Sequence, residues 1–159
     1  MLKVFDIIMR LNNIQKVIGM TAFSMMCFSS INTEAQTKHA LIVGVSDYGN
    51  INEDPNKWSN ISGANDVALL SPLFEKQGYK VTTLVDSKAT YSNIIGALKK
   101  VVKELNNGDI VYLHFSMHGQ PFEDLNGDEA DGWDEALIPV DAQMQYDEGK
   151  YEGKNHLID

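Results

Sequence analysis

The chain predicts an α/β domain on a mostly parallel sheet. Apolar runs alternate with amphipathic helical segments through its middle, and short connections between them imply right-handed crossovers. The 159 residues hold one domain and little more, and 43% hydrophobic with 22% charged residues is ordinary for a globular protein.

Ala40-Leu41-Ile42-Val43-Gly44-Val45 is a short continuous apolar run, as expected of a central strand covered on both faces. Residues 47–59 are rich in Gly, Asn, Asp and Pro and form a loop. Ser62 is placed to cap a helix running to about Gln77. Val67, Leu70, Leu73 and Phe74 recur at helical spacing along it, and Gly78 stops it. Val81-Thr82-Thr83-Leu84-Val85 is the next strand, closed by Asp86-Ser87. Thr90 caps the strongest helix, in which Tyr91, Ile94, Ile95, Leu98, Val101, Val102 and Leu105 form one apolar stripe. Lys99, Lys100 and Lys103 lie on its solvent side near the C-terminal end, where they suit the helix dipole. Ile110 to Phe115 is a third strand leading to His118. Beyond His118 no periodic segment is apparent: residues 120–159 are acidic, Gly-rich and loop-like, with one short apolar group at Ala136–Val140.

The first 35 residues have the pattern of an export signal. Lys3, Arg10 and Lys16 precede an apolar stretch from Val17 to Phe28, and Thr33-Glu34-Ala35 offers small residues before a cut after Ala35. The division expected is therefore a signal peptide at 1–35 and a single domain at 36–159, exported to the periplasm or secreted. The apolar stretch is short for a permanent span, so no membrane association is expected once it is processed. Cys27, the one cysteine, could alternatively carry a lipid, but Ser24-Met25-Met26 is a poor context for that. The formal charge is −9. Residues 1–35 contain three basic and two acidic residues of the 13 and 22, leaving 10 and 20, or −10. With no Lys/Arg cluster beyond the leader, a nucleic-acid groove is excluded as an expectation.

His118 presents an imidazole where the third strand stops, the rim at which parallel α/β folds place their chemistry. Gly119 next to it lets backbone approach a ligand and leaves an N–H to meet a developing oxyanion. Asp66 lies in the first turn of the first helix, on that rim, where the helix N-terminus stabilises a carboxylate. Asp47 and Tyr48 leave the first strand on the same rim, and turn chemistry accounts for them. Asp124, Asn126, Asp128 and Glu135 fall at positions 1, 3, 5 and 12 of a calcium-loop frame. Glu129 stands where that frame wants glycine and no helix flanks the loop, which argues against an EF-hand. A weaker cation site stays open, so calcium is compatible with the loop but its ligands are not assigned.

The ordered series Ala40–Val45, Ile61-Ser62-Gly63-Ala64-Asn65-Asp66, Ala89-Thr90 with Asn93-Ile94, Ser116-Met117-His118-Gly119, Asp124–Glu135 and Ile138-Pro139-Val140-Asp141 resembles the caspase-like cysteine peptidases. The resemblance is closest to type I metacaspases and their bacterial relatives. It covers residues 39 to 159 and implies a caspase-haemoglobinase fold, three layers αβα, with its C-terminal strands missing here. It also implies a hydrolase, a cysteine-type endopeptidase acting on peptide or protein substrates after Arg or Lys. His118 would be the dyad histidine, the Gly119 N–H an oxyanion donor, and Asp66 and Ser116 two residues of the pocket for the basic side chain. No cofactor is required by such chemistry, although calcium activates several metacaspases.

Two departures bear on activity. Met117 replaces the glycine usual before the histidine and is expected to narrow the cleft. The family's nucleophile lies in an Asp-x-Cys-x-Ser-Gly motif that this sequence does not contain. Ala64 stands where many relatives have a cysteine, and Ser116 is expected to point away from His118, so no substitute is available. The expectation is a truncated peptidase whose partner is a C-terminal fragment carrying the cysteine. The alternative is an inactive caspase-like module binding peptide or cation.

Overall fold

In the computed structural model, residues 36–49, 53, 57–124, 127, 129–144 and 153–158 are described. The leader, Cys27 and two of the calcium-frame residues, Asn126 and Asp128, lie outside them. Strand β1 (Lys38–Gly44) is followed by helix α1 (Gly63–Lys76), β2 (Lys80–Val85), a short turn of 3-10 helix (Asp86–Lys88), helix α2 (Tyr91–Glu104) and β3 (Ile110–Ser116). These strands form a parallel sheet in the order β2-β1-β3. Strands β4 (His118–Glu123), β5 (Trp133–Ile138) and β6 (Leu157–Ile158) form a second, antiparallel sheet in chain order.

The alternation along β1 builds the layers. Ala40 and Ile42 pack with Val67, Leu70 and Phe74 of α1 on one face. Leu41, Val43 and Val45 pack with Ile94, Ile95 and Leu98 of α2 on the other. The two helices therefore cover opposite faces of one central strand, the three-layer αβα arrangement. Each aliphatic side chain so buried contributes about 1.5–3 kcal/mol relative to exposure. The second sheet adds Phe122, Ala136, Ile138, Leu157 and Ile158 to the α2-side core.

Helix α2 forms as its stripe predicts. Thr90 accepts a hydrogen bond from the Asn93 N–H at 3.3 Å, and Ile94, Ile95, Leu98 and Val101 are buried. Helix α1 departs from expectation at two points. Ser62 occupies the N-cap position but its side chain makes no capping bond; Ser46, just beyond β1, accepts from the Ala64 N–H at 2.8 Å instead. Leu73, placed on the core face by spacing, is half exposed at 49%, with Leu69 beside it at 71%. The contact stripe is narrower than the apolar one because only Val67, Leu70 and Phe74 reach the sheet.

The loop-like reading of residues 120–159 is corrected by β4, β5 and β6. In β5 the inward residues are Asp134, Ala136 and Ile138. A buried aspartate at the first inward position breaks the apolar alternation that marks a strand. Pro121 conceals β4 in the same way, and is tolerated because β4 is the edge strand.

His156, 1% exposed, fastens this sheet. Its Nδ1 lies 3.2 Å from the Lys154 carbonyl and its Nε2 2.9 Å from Gln120 Nε2. A carbonyl only accepts, so Nδ1 carries the proton and Nε2 accepts from the amide of Gln120: the ring is neutral. Burial holds its pKa below the usual 6.5, against backbone contacts with Lys154 and Gly153 that favour the proton. The unfolded chain therefore binds this proton more readily than the folded one. The stability from this group is complete above pH 6.5 and is lost as pH falls through the depressed folded value. Urea midpoints of wild type and His156→Gln are expected to converge as pH drops from 7.5 to about 5. A gap independent of pH would contradict the neutral assignment.

Candidate active site

The C-terminal ends of β1 and β3 meet the N-terminus of α1. The Val45 N–H donates to the Ser116 carbonyl at 2.9 Å, which binds the two strand ends together. On β3, Tyr112, His114 and Ser116 pair in register with Ala40, Ile42 and Gly44, so they share the α1 face. Ser116 Oγ accordingly reaches across to α1 and donates to Asp66 Oδ2 at 2.5 Å. Asp66 is in the first turn of α1, where the helix dipole favours a negative charge, and it is exposed. The two residues assigned to substrate binding by resemblance are thus joined in one exposed, anionic pair.

The chain bends at Met117 before β4 begins. A regular strand would put Ser116 and His118 on one face; the bend sends them to different partners. Met117 is partly buried against the larger core cluster. The His118 imidazole lies beside the loop after β1, with ring centroids 5.1 Å from Tyr48 and 5.5 Å from Trp58. Its Nε2 is 2.8 Å from the Ser59 carbonyl oxygen, with Ser59 Oγ at 3.4 Å. Since the carbonyl can only accept, Nε2 bears a hydrogen, which leaves Nδ1 as the nitrogen that carries the lone pair whenever the ring is neutral. The ring is partly exposed at the rim rather than sealed in the interior.

Tyr48 ties this histidine down. Its hydroxyl accepts from the His118 backbone N–H at 3.0 Å and donates to the Ile138 carbonyl at 2.8 Å. His118 and Ile138 are register partners of β4 and β5, so the phenol oxygen is inserted between them. Burial pushes the Tyr48 phenol up to about 12, with the Asp86 carboxylate acting in the same sense and the His118 N–H opposing both. The hydroxyl therefore keeps the proton it donates. The loop is anchored by Asp86, whose backbone adopts a φ of 46°. Its Oδ1 accepts from the Ser46 and Asp47 amides at 2.6 and 3.0 Å, and Asn60 Oδ1 accepts from the Tyr48 N–H at 2.9 Å.

Strand alternation fixes the direction of the Gly119 amide. The Asp124 N–H donates to Gly132 across the β4–β5 pair, so even-numbered residues of β4 point toward β5. Gly119 and Pro121 face the open edge instead, where a proline costs no ladder hydrogen bond. The acidic segment 124–135 starts at the end of β4 and runs into β5, with strands where an EF-hand has helices. Within it the Asp124 carboxylate is committed to the turn, accepting from Gly127 N–H at 2.7 Å and Glu129 N–H at 3.0 Å. No cluster of three or more metal-ligating side chains occurs among the described residues.

Sequence reasoning located His118, Gly119, Asp66, Ser116 and Tyr48 on the rim, but it assigned Tyr48 to turn chemistry alone, where the structure packs it against the imidazole, and it missed Trp58 and Ser59. The available signal was an aromatic pair, Tyr48 and Trp58, inside a loop rich in Gly, Asn, Asp and Pro. Ser59 acts through its carbonyl, which no side-chain pattern reveals.

Residues 37–153 match the caspase domain. Metacaspase-1B of Aspergillus fumigatus is 33% identical over 132 residues, spanning 77% of this chain and 29% of the relative. Metacaspase-1 of Kluyveromyces lactis is 33% identical over 122 residues, spanning 67% and 26%. A crystal structure of a Geobacter sulfurreducens protein superposes with a TM-score of 0.59 at 27% identity, covering 77% of this chain and 42% of that one. The chain thus spans under a third of the length of these metacaspases. No helix among the described residues is long and apolar enough to cross a membrane. The order of motifs, the αβα layering and the extent of the match agree, and the chain belongs to the caspase-domain family of cysteine-type peptidases.

Proposed function

We propose that this chain supplies the histidine-bearing part of a caspase-like cysteine endopeptidase that cleaves after Arg or Lys. The observation that carries the reading is the hydrogen bond from His118 Nε2 to the Ser59 carbonyl. It fixes the ring in the tautomer whose Nδ1 can act as a base. In the reaction, Nδ1 takes the thiol proton and the thiolate sulfur adds to the scissile carbonyl carbon. The C–N bond then breaks as the imidazolium returns the proton to the leaving amine. Water, deprotonated by the same imidazole, hydrolyses the thioester and releases the thiol. The Gly119 N–H, on the open edge of β4, is the oxyanion donor in this scheme. The nucleophile is supplied by a C-terminal segment with the Asp-x-Cys-x-Ser-Gly motif, since Cys27 precedes the domain.

The Asp66–Ser116 pair gives the basic preference its electrostatic source: an exposed carboxylate, held in place by a hydroxyl, at a helix N-terminus. Asp66→Asn in a form carrying the cysteine segment is expected to lower kcat/KM for Arg peptides by about tenfold or more. An unchanged Arg preference would reject the pocket role. In this reading residues 1–35 direct export, no cofactor is required, and calcium acts only as an activator through the acidic segments. A second reading, a non-catalytic module binding peptides or a cation, is favoured by one observation: the matched region contains no cysteine. Thiol-dependent cleavage of an Arg peptide by the cysteine-bearing form supports the first reading; peptide binding with no turnover supports the second.

A further inference from the structure

We infer that Tyr48 is a positioning residue for His118: its hydroxyl, inserted between the His118 N–H and the Ile138 carbonyl, and its ring, packed beside the imidazole, together keep Nε2–H on the Ser59 carbonyl. The catalytic meaning of this role rests on the peptidase reading above; the positioning itself does not.

A histidine at the first residue of an edge strand has little to hold it. His118 follows a bend, and among the described residues only β5 pairs with β4. The bond that would ordinarily secure the end of such a pair is a direct N–H to carbonyl link between register partners. Here a phenol oxygen accepts one end of that link and donates to the other. The strand end is thus coupled to the loop after β1, the loop that also supplies Trp58 and Ser59. Tyr48 is itself fixed at two points, its N–H on Asn60 and its hydroxyl on β4 and β5, and it is 3% exposed. A displacement of its ring would shift both the imidazole and the carbonyl that orients it. A purely space-filling tyrosine would need neither of the two hydroxyl bonds, because phenylalanine fills almost the same volume.

The test needs no enzymatic activity, so it can fail without touching the peptidase reading, and that reading can fail without touching it. The 159-residue chain is labelled with nitrogen-15, and proton exchange is followed at the His118 amide, the His118 Nε2–H and the amides of Leu41 to Val43. In wild type the His118 amide is expected to be protected like a strand amide. In Tyr48→Phe the His118 amide and Nε2–H are expected to exchange at least tenfold faster, with the β1 amides unchanged. Asn60→Ala, which frees the Tyr48 backbone and keeps the hydroxyl, should accelerate Nε2–H in the same direction by less. It also decides the matter should Tyr48→Phe fail to fold. An unprotected His118 amide in wild type, an unaltered Nε2–H in the variants, or an acceleration shared equally by β1 would each overturn the inference.

Discussion

Gly63→Ala is expected to unfold the domain or to destabilise it by about 3 kcal/mol or more, out of a total of order 5–15 kcal/mol. A methyl group at Gly63 would overlap the Ser116 carbonyl oxygen and lie 2.6 Å from the Val45 oxygen and 2.9 Å from the Val45 nitrogen. All three are main-chain atoms of strand ends, so no side chain can rotate away. Gly44 faces Gly63 across the same contact, and a methyl there would overlap the Gly63 carbonyl. This close approach carries Asp66 to Ser116. Gly96→Ala is the control: it is exposed in α2 with nothing within 4 Å of the added carbon, and should stabilise by about 0.5–1 kcal/mol. Urea midpoints of both variants check the pair. A Gly63→Ala protein as stable as wild type would mean that α1 is not seated against the strand ends.

His118→Ala, in the form carrying the cysteine segment, should lower kcat for Arg peptides by about 10²–10⁴-fold, the range for loss of a general acid–base group. Its effect on stability should be small by comparison. The ring is partly exposed, and the backbone bond from His118 to Tyr48 does not depend on the side chain. A loss of activity in an unfolded protein would show nothing, so the urea midpoint is measured on the same sample. Turnover unchanged in a folded variant would remove His118 from the chemistry.

The parallel sheet and its two helices were legible because their signals are local. A six-residue apolar run bounded by a Gly- and Asp-rich loop is too short for a helix and suits a strand covered on both faces, and the α2 stripe and its Thr90 cap depend on residues three and four apart. The second sheet was not legible, since its strands carry a buried Asp134 and an edge Pro121, each against the ordinary pattern. Ser62 has a cap's place in the sequence beside α1, whereas the hydroxyl that serves comes from Ser46 sixteen residues earlier and only the fold brings it there. The site divides in the same way. His118 and Asp66 could be placed from strand ends and helix starts. Their partners required three dimensions: the Ser59 carbonyl has no side-chain signature, and the Tyr48 hydroxyl joins residues 70 and 90 positions away. Loop 47–59 carries little periodicity, so the arguments that found the strands could place Tyr48 on the rim but gave the loop's aromatics no partner.

In the proposed function, the imidazole on this rim serves a thiolate that attacks peptide bonds after basic residues. This role is tested most directly by assaying the cysteine-bearing form against fluorogenic peptides ending in Arg, Lys or Asp, with and without a thiol-alkylating inhibitor. Cleavage after Arg and Lys, none after Asp, and abolition by the alkylating agent are expected. Cleavage that prefers Asp, or that survives alkylation of the thiol, would contradict it.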